Sequence, residues 1–334
     1  MIPTNPDAGE PGPWAPGIWR HQLKTAIRDS VTLCEKLGLP TGGLDDAPVF
    51  PVRVPEAWLR RIRHGNPDDP LLRQVLATAL ERLAIDGFVA DAVAETSRFV
   101  APALIQKYDH RALLIASTAC PVHCRYCFRR EFPYTDHGPA QLDHAIARVV
   151  EDTTLSEIIL SGGDPLTLTD TALAKLLRRI NAIPHLRRIR IHSRWPVAIP
   201  ERITAELLQS FARSSKPVVL VVHCNHPAEL DTHTARAFAL LRKTGLTLLN
   251  QTVLLRGIND AVTTLAHLSE ALFEQGVLPY YLHLLDRVRG TGHFEVEEDR
   301  GRALISGLRN QLPGYLVPRL MREIPGEPAK TLIG

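Results

Sequence analysis

The rhythm of apolar residues along this chain changes near residue 111. Before that point they recur every three or four positions in two stretches, 19–37 and 70–85, the period of a helix buried on one face. Segments rich in proline and glycine, 38–51 and 64–70, separate them. Beyond residue 111, short apolar runs alternate with amphipathic stretches of helical length. The runs predict strands at 112–117, 157–161, 188–192, 218–223, 247–253 and 279–284. The stretches between them predict helices at 141–151, 169–183, 201–210, 231–244 and 263–275. Such alternation belongs to an α/β fold whose parallel strands are joined by right-handed crossovers. Six strands suit a partial (β/α)6 barrel better than a closed eight-stranded one, with the chemistry at the C-terminal strand ends. The expected organisation is an N-terminal helical region over 1–100, a core over 101–312 and a short tail over 313–334.

Composition narrows the function classes. A net charge of +3 over 334 residues is too small to argue for nucleic acid or a membrane surface. Residues 1–16 are rich in proline and glycine and lack the apolar centre of a signal peptide, and no apolar run reaches membrane-spanning length. The cysteines are Cys34, Cys120, Cys124, Cys127 and Cys224, and three of them fall within eight residues. That is a ligand pattern rather than a disulfide framework, and it fits a reducing cytoplasm. Cys34 and Cys224 read as small buried apolar side chains. Homo-oligomer formation is left open.

Three motifs carry chemistry. The run Cys120-Pro-Val-His-Cys124-Arg-Tyr-Cys127 follows the first expected strand. Three thiolates in one loop leave one iron of a four-iron cluster open to an exogenous molecule. The same residues can hold zinc, completed by His123 or a distant side chain. Tyr126 and Phe128 are placed to keep water from a cluster. Ser161-Gly162-Gly163-Asp164-Pro165 closes the second strand. Its glycines let backbone approach a ligand and offer N–H groups, while Asp164 can accept from an ammonium; a plain turn has the same composition. Lys330 lies four residues from the end, after a turn fixed by Pro325, Gly326 and Pro328 and after the apolar stretches 315–318 and 320–321. Terminal lysines are usually solvated, but one held in a partly desolvated pocket can form a Schiff base with an aldehyde cofactor.

The cysteine spacing, with an aromatic before the last cysteine and a strand before the first, resembles the radical S-adenosylmethionine superfamily. Further stretches are similar to the lysine 2,3-aminomutase family, nearest its short members associated with elongation factor P. They are 110–115, 127–134, 192–197, 223–229 and 250–260, with the tail Pro325-Gly-Glu-Pro-Ala-Lys330. The tail departs from the family's glycine-rich loop, and Glu323 stands where the family has Asp.

The resemblance implies a 4Fe-4S cluster on Cys120, Cys124 and Cys127 and S-adenosyl-L-methionine held by Gly162, Gly163, Asp164, His223 and Gln251. It implies pyridoxal 5′-phosphate on Lys330, with Arg111 and Lys107 near its phosphate. Arg129 is implied as the clamp for a substrate carboxylate, with Asp286 and Glu323 as partners of the ε-ammonium of L-lysine. The implied activity is an isomerase that makes β-lysine. The implied partners are a reductase or flavodoxin-type electron donor and, functionally, elongation factor P with its β-lysine ligase. A glutamate-specific aminomutase, a radical enzyme without pyridoxal phosphate and a non-catalytic Fe-S or zinc scaffold docking elongation factor P are the competing readings.

Overall fold

The computed structural model describes residues 14, 17–45, 47–134 and 138–333. A single ten-stranded sheet organises it, with strands in sequence order. These are β1 (Phe99–Ala101), β2 (Leu104–Tyr108), β3 (Arg111–Ser117), β4 (Glu157–Gly162), β5 (Arg188–Ser193), β6 (Val218–His223), β7 (Thr247–Val253), β8 (Leu278–His283), β9 (Arg319–Arg322) and β10 (Thr331–Leu332). Strands β3 to β9 are parallel, and β3 to β8 are the six the hydrophobic runs predict. Short antiparallel additions extend both ends: β1 and β2 before the core, β10 after it. Among the described residues β1 pairs only with β2 and β10 only with β9, so the sheet curls without closing.

The N-terminal segment has shorter helices than its periodicity predicts: α1 (Ile18–Thr25), α2 (Ser30–Leu37), α3 (Glu56–Leu59) and α4 (Pro70–Arg73). The expected helix over 19–37 breaks because Ile27 leaves it to exchange both backbone hydrogen bonds with Val54 at 2.9 Å. Asp29 then restarts the chain as an N-cap, accepting from Thr32 N–H at 2.7 Å. The expected helix over 70–85 ends at Arg73. The Gln74 carbonyl accepts from Arg125 N–H at 2.8 Å, so the cysteine loop takes an acceptor that a continuing helix would need.

After the sheet begins, the helices are α5 (Pro139–Glu151), α6 (Asp170–Asn181), α7 (Trp195–Ala198), α8 (Ala205–Ala212), α9 (Thr232–Arg242), α10 (Val262–Glu274) and α11 (Glu298–Arg309). The last was not among the sequence expectations, although Leu304, Ile305 and Leu308 make its buried stripe.

Strand parity decides what goes where. Leu114, Ile158, Leu160, Ile189, Leu220 and Val222 share one face and are fully buried against the crossover helices. Burying each contributes roughly 1.5–3 kcal/mol. The opposite face carries Arg111, Glu157, Ser161, His192, His223 and Gln251, which line a cavity inside the half-barrel. These polar residues therefore belong to the inner face.

Candidate active site

One cavity of about 530 Å³ runs through the half-barrel and past the C-terminal strand ends. Its wall includes Cys120, Cys124 and Cys127, Gly162 to Asp164, His223 and Gln251, Arg111 and Arg129, Asp286, Glu323 and Lys330, while His123, the alternative zinc ligand, lies outside it.

The N-terminal segment fixes the cysteine loop. Arg53 Nη1 donates to the Cys120 carbonyl at 2.9 Å, and His123 N–H donates to the Arg53 carbonyl at 3.0 Å. Arg125 pairs through Nε and Nη2 with both carboxylate oxygens of Glu81, at 2.7 and 2.6 Å. The His123 ring bonds the Pro51 carbonyl through Nδ1 at 2.8 Å and stacks on Phe50, with its pKa pushed down to about 4 by burial. Among the described residues, no three His, Cys, Asp or Glu side chains are gathered closely enough for one metal ion.

All three thiols are free and shifted upward: burial raises Cys120 and Cys124, and pushes Cys127 up to about 11. Neighbouring buried thiols resist ionising together, and iron bound there would supply the positive charge that favours the thiolates. The donor set fits a cluster. Tyr126 packs edge-on to Phe294 at 6.3 Å and accepts from Asn225 Nδ2 at 2.7 Å.

Part of the glycine loop's donor capacity is used within the protein. Gly163 N–H donates to the Ser117 carbonyl at 2.7 Å and Asp164 N–H to the Ala119 carbonyl at 2.9 Å. Those donors serve the protein rather than a ligand. A Cβ on Gly163 would stand 2.6 Å from the Ala119 carbonyl oxygen, so glycine lets β4 lie against the start of the cysteine loop. Asp164 accepts from Leu166 N–H at 3.0 Å, Ser193 Oγ at 3.1 Å and Arg194 N–H at 2.6 Å. A carboxylate has about four acceptor positions, so about one remains. Burial lifts its pKa to about 6 in spite of these donors.

Deeper in, burial pushes His223 down to about 3 and His192 and His283 well below the ordinary value, so all three rings are neutral. Among the described residues, His192 Nε2, His283 Nε2 and Gln251 Nε2 are buried without a partner. Each orphan costs about 1–3 kcal/mol unless a ligand satisfies it. A polar molecule fits this interior. Arg111 lays its guanidinium over the Tyr108 ring at 4.6 Å and has no ion pair among the described residues.

The tail returns to the cavity through pairing. β9 adds to β8 and β10 folds back on β9, with Ile333 buried beside Leu282, Leu304 and Leu320. Gly326 takes φ +91° in the turn between them. Lys330 Nζ thereby meets Glu323, whose other oxygen accepts from Lys107 Nζ at 2.6 Å and from Tyr108 OH at 2.5 Å. Burial would raise Glu323, but Lys330 and Lys107 overcome it and hold the carboxyl at about 2. Burial raises Asp286 to about 6, with Lys330 opposing.

Arg129 faces the cavity with its fork filled. Nε and Nη2 donate to Glu95 at 2.6 and 2.8 Å, and Nη1 donates to Ser161 Oγ at 3.0 Å and the Gly162 carbonyl at 2.8 Å. One of its five N–H groups is unassigned.

This chain is similar to curated proteins over nearly its whole length. L-lysine 2,3-aminomutase from Escherichia coli (strain K12) is 46% identical over 94% of this chain and 93% of its own. The protein of that name from Haemophilus influenzae is 43% identical over 94% and 95%. The one from Clostridium subterminale is 36% identical over 94% of this chain and 77% of its own. The chain belongs to the L-lysine 2,3-aminomutase family. A model described as the radical SAM superfamily matches residues 114–268, so the family's 4Fe-4S cluster and S-adenosylmethionine belong to this member too. Among solved structures, a radical SAM methyltransferase from Sphaerobacter thermophilus aligns with a TM-score of 0.46 at 20% identity, over 66% of this chain and 68% of that one.

The sequence reading of this aminomutase missed His192, Arg194, His283, Tyr108 and Glu95 as cavity residues. His192 and His283 share the inward parity of His223 and Gln251, a signal present in the strands. Glu95 had none, because it arrives from outside the barrel.

Proposed function

We propose that this chain converts L-lysine to β-lysine, moving the α-amino group to the β carbon. The supporting observation is that Lys330, Asp286, Glu323 and the three cysteines share one cavity although Lys330 lies more than 200 residues from the cysteines. Cys120, Cys124 and Cys127 hold the cluster, the β4 end with His223 and Gln251 receives adenosylmethionine, and Lys330 carries pyridoxal phosphate with Arg111 at its phosphate. When bound, the cluster and adenosylmethionine supply a carbon radical that removes hydrogen, and pyridoxal phosphate supplies a conjugated system that carries an unpaired electron.

The chain's own residues select and orient. Glu323 and Asp286 face the distal ammonium, and two carboxylates there disfavour glutamate. The remaining N–H of Arg129 reaches the substrate carboxylate, its guanidinium held by Glu95. Neutral His192, His223 and His283 add polarity without charge. A flavodoxin-type donor supplies the electron, the free cysteines fit the cytoplasm, and the β-lysine serves modification of elongation factor P by its ligase.

Anaerobic incubation of reconstituted protein with L-lysine, adenosylmethionine, pyridoxal phosphate and dithionite, read by chiral amino-acid analysis, tests this. β-Lysine is expected from the wild type. Lys330→Ala should keep the cluster's absorbance and lose the product; turnover by that variant refutes the role of Lys330. A scaffold would yield no 5′-deoxyadenosine.

A further inference from the structure

Arg194 follows β5 and has no part in the roles above. Its side chain is buried under the cysteine loop, with Nη1 2.9 Å from Cys124 Sγ. Nη2 donates to Gln74 Oε1 at 2.8 Å and to Glu229 Oε2 at 3.2 Å. The guanidinium carbon lies 4.7 Å from the Trp58 ring centre and 5.5 Å from that of Tyr126. Its backbone N–H is tied to Asp164 at 2.6 Å. Two aromatic faces, two acceptors and a pinned backbone leave the fork one orientation, aimed at the sulfur.

A neutral thiol is a weak acceptor, whereas a thiolate is a strong partner for a guanidinium. Among the described residues, Cys124 is the one loop cysteine whose sulfur accepts from a guanidinium.

We infer that Arg194 is a positioning residue that sets the reduction potential of the cluster through the Cys124 sulfur. The inference rests on Cys124 being a cluster ligand, as proposed above. Reduction adds one electron from an external one-electron donor, and the added charge spreads onto the ligand sulfurs. A fixed cationic donor at one sulfur favours the reduced form and raises the potential. Glu229 acts with the opposite sign, because its carboxylate draws the guanidinium's charge away from the sulfur.

The two signs make the test. Reconstituted holoenzyme is titrated anaerobically with dithionite and mediators, the reduced cluster is followed by electron paramagnetic resonance, and iron and sulfide are counted per chain. The double variant Arg194→Met/Glu229→Gln leaves no lone buried charge. It should bind iron as the wild type does and show about a tenfold poorer reduction equilibrium, a negative shift of ~59 mV for one electron. Glu229→Gln alone should shift the potential positively, and Arg194→Lys should fall between wild type and the double variant. If the double variant does not fold, the positive shift in Glu229→Gln decides. A role confined to holding the loop moves both the same way or neither; either result with full iron content overturns the inference. Cys124→Ala with full iron content and an unchanged signal instead sinks the ligand assignment.

Discussion

Asp286 is a carboxylate that the fold keeps at a cost, and replacing it should make the empty protein more stable. Burial in the cavity wall lifts its pKa from 3.8 to about 6, even with Lys330 opposing. A group whose folded pKa is raised contributes stability that is fully present below the unfolded value, near 3.8, and is lost as pH rises through about 6. Asparagine does not titrate. The advantage of Asp286→Asn is therefore absent below about pH 4 and grows until the folded carboxyl ionises. Two pKa units at 1.36 kcal/mol each set a ceiling of about 3 kcal/mol. The carboxylate retains partial exposure, so about 1–2 kcal/mol is expected above pH 7 and under about 1 kcal/mol near pH 5.

The assay is urea unfolding of cluster-free protein at pH 5 and pH 8, with the slope checked for a common unfolding reaction. A gain equal at both pH values, or none at pH 8, refutes the reasoning. The same variant should lose affinity for L-lysine, because a neutral amide cannot balance a buried ammonium. Stability gained where binding is lost is the signature of a site strained for its ligand.

Other perturbations follow from the same geometry. Glu95→Ala leaves the Arg129 guanidinium buried without its carboxylate and should cost about 3 kcal/mol in urea unfolding, since one-sided loss of a buried pair costs about 3–5 kcal/mol and two neutral acceptors remain. Adding Arg129→Met should recover much of that, and additive losses would show the pair is not coupled. Gly163→Ala drives a Cβ against the Ala119 carbonyl and should lower iron bound per chain after reconstitution; wild-type iron content would contradict the close approach. Glu323, held at about 2, gives stability present above its unfolded value of 4.5 and lost as pH falls toward 2. Glu323→Gln should therefore shrink the difference in stability between pH 5 and pH 3, measured by urea unfolding.

The half-barrel was legible because its strands carry two kinds of information at once. Apolar positions such as Ile158, Leu160, Leu220 and Val222 mark the face that meets the helices. That signal placed all six core strands to within a residue or so at each end. The cysteines and glycines sit where the chain leaves those strands, so local sequence was enough to find them. Lys330 was found by a motif, and its route to the cavity depends on β9 and β10, too short to show a period.

The N-terminal segment was poorly legible for the opposite reason. Its helices stop where backbone groups are claimed by distant partners: Ile27 by Val54 and the Gln74 carbonyl by Arg125. Period and propensity describe what a segment does alone, and here tertiary hydrogen bonds decide. The same contacts explain why the segment is present. Glu81 holds Arg125 and Arg130, Glu95 holds Arg129, and Gln74 holds Arg194, so four arginines around the cysteine loop are anchored from residues before 100. The loop that carries the three thiols also carries a concentration of positive charge, and acidic partners brought from outside the barrel keep it in place. Removing the segment should therefore lower both iron bound per chain and stability in urea unfolding, because Trp19, Leu33, Trp58 and Leu71 are buried in the same apolar cluster as the strand residues Leu114 and Leu160; full stability without the segment would refute this.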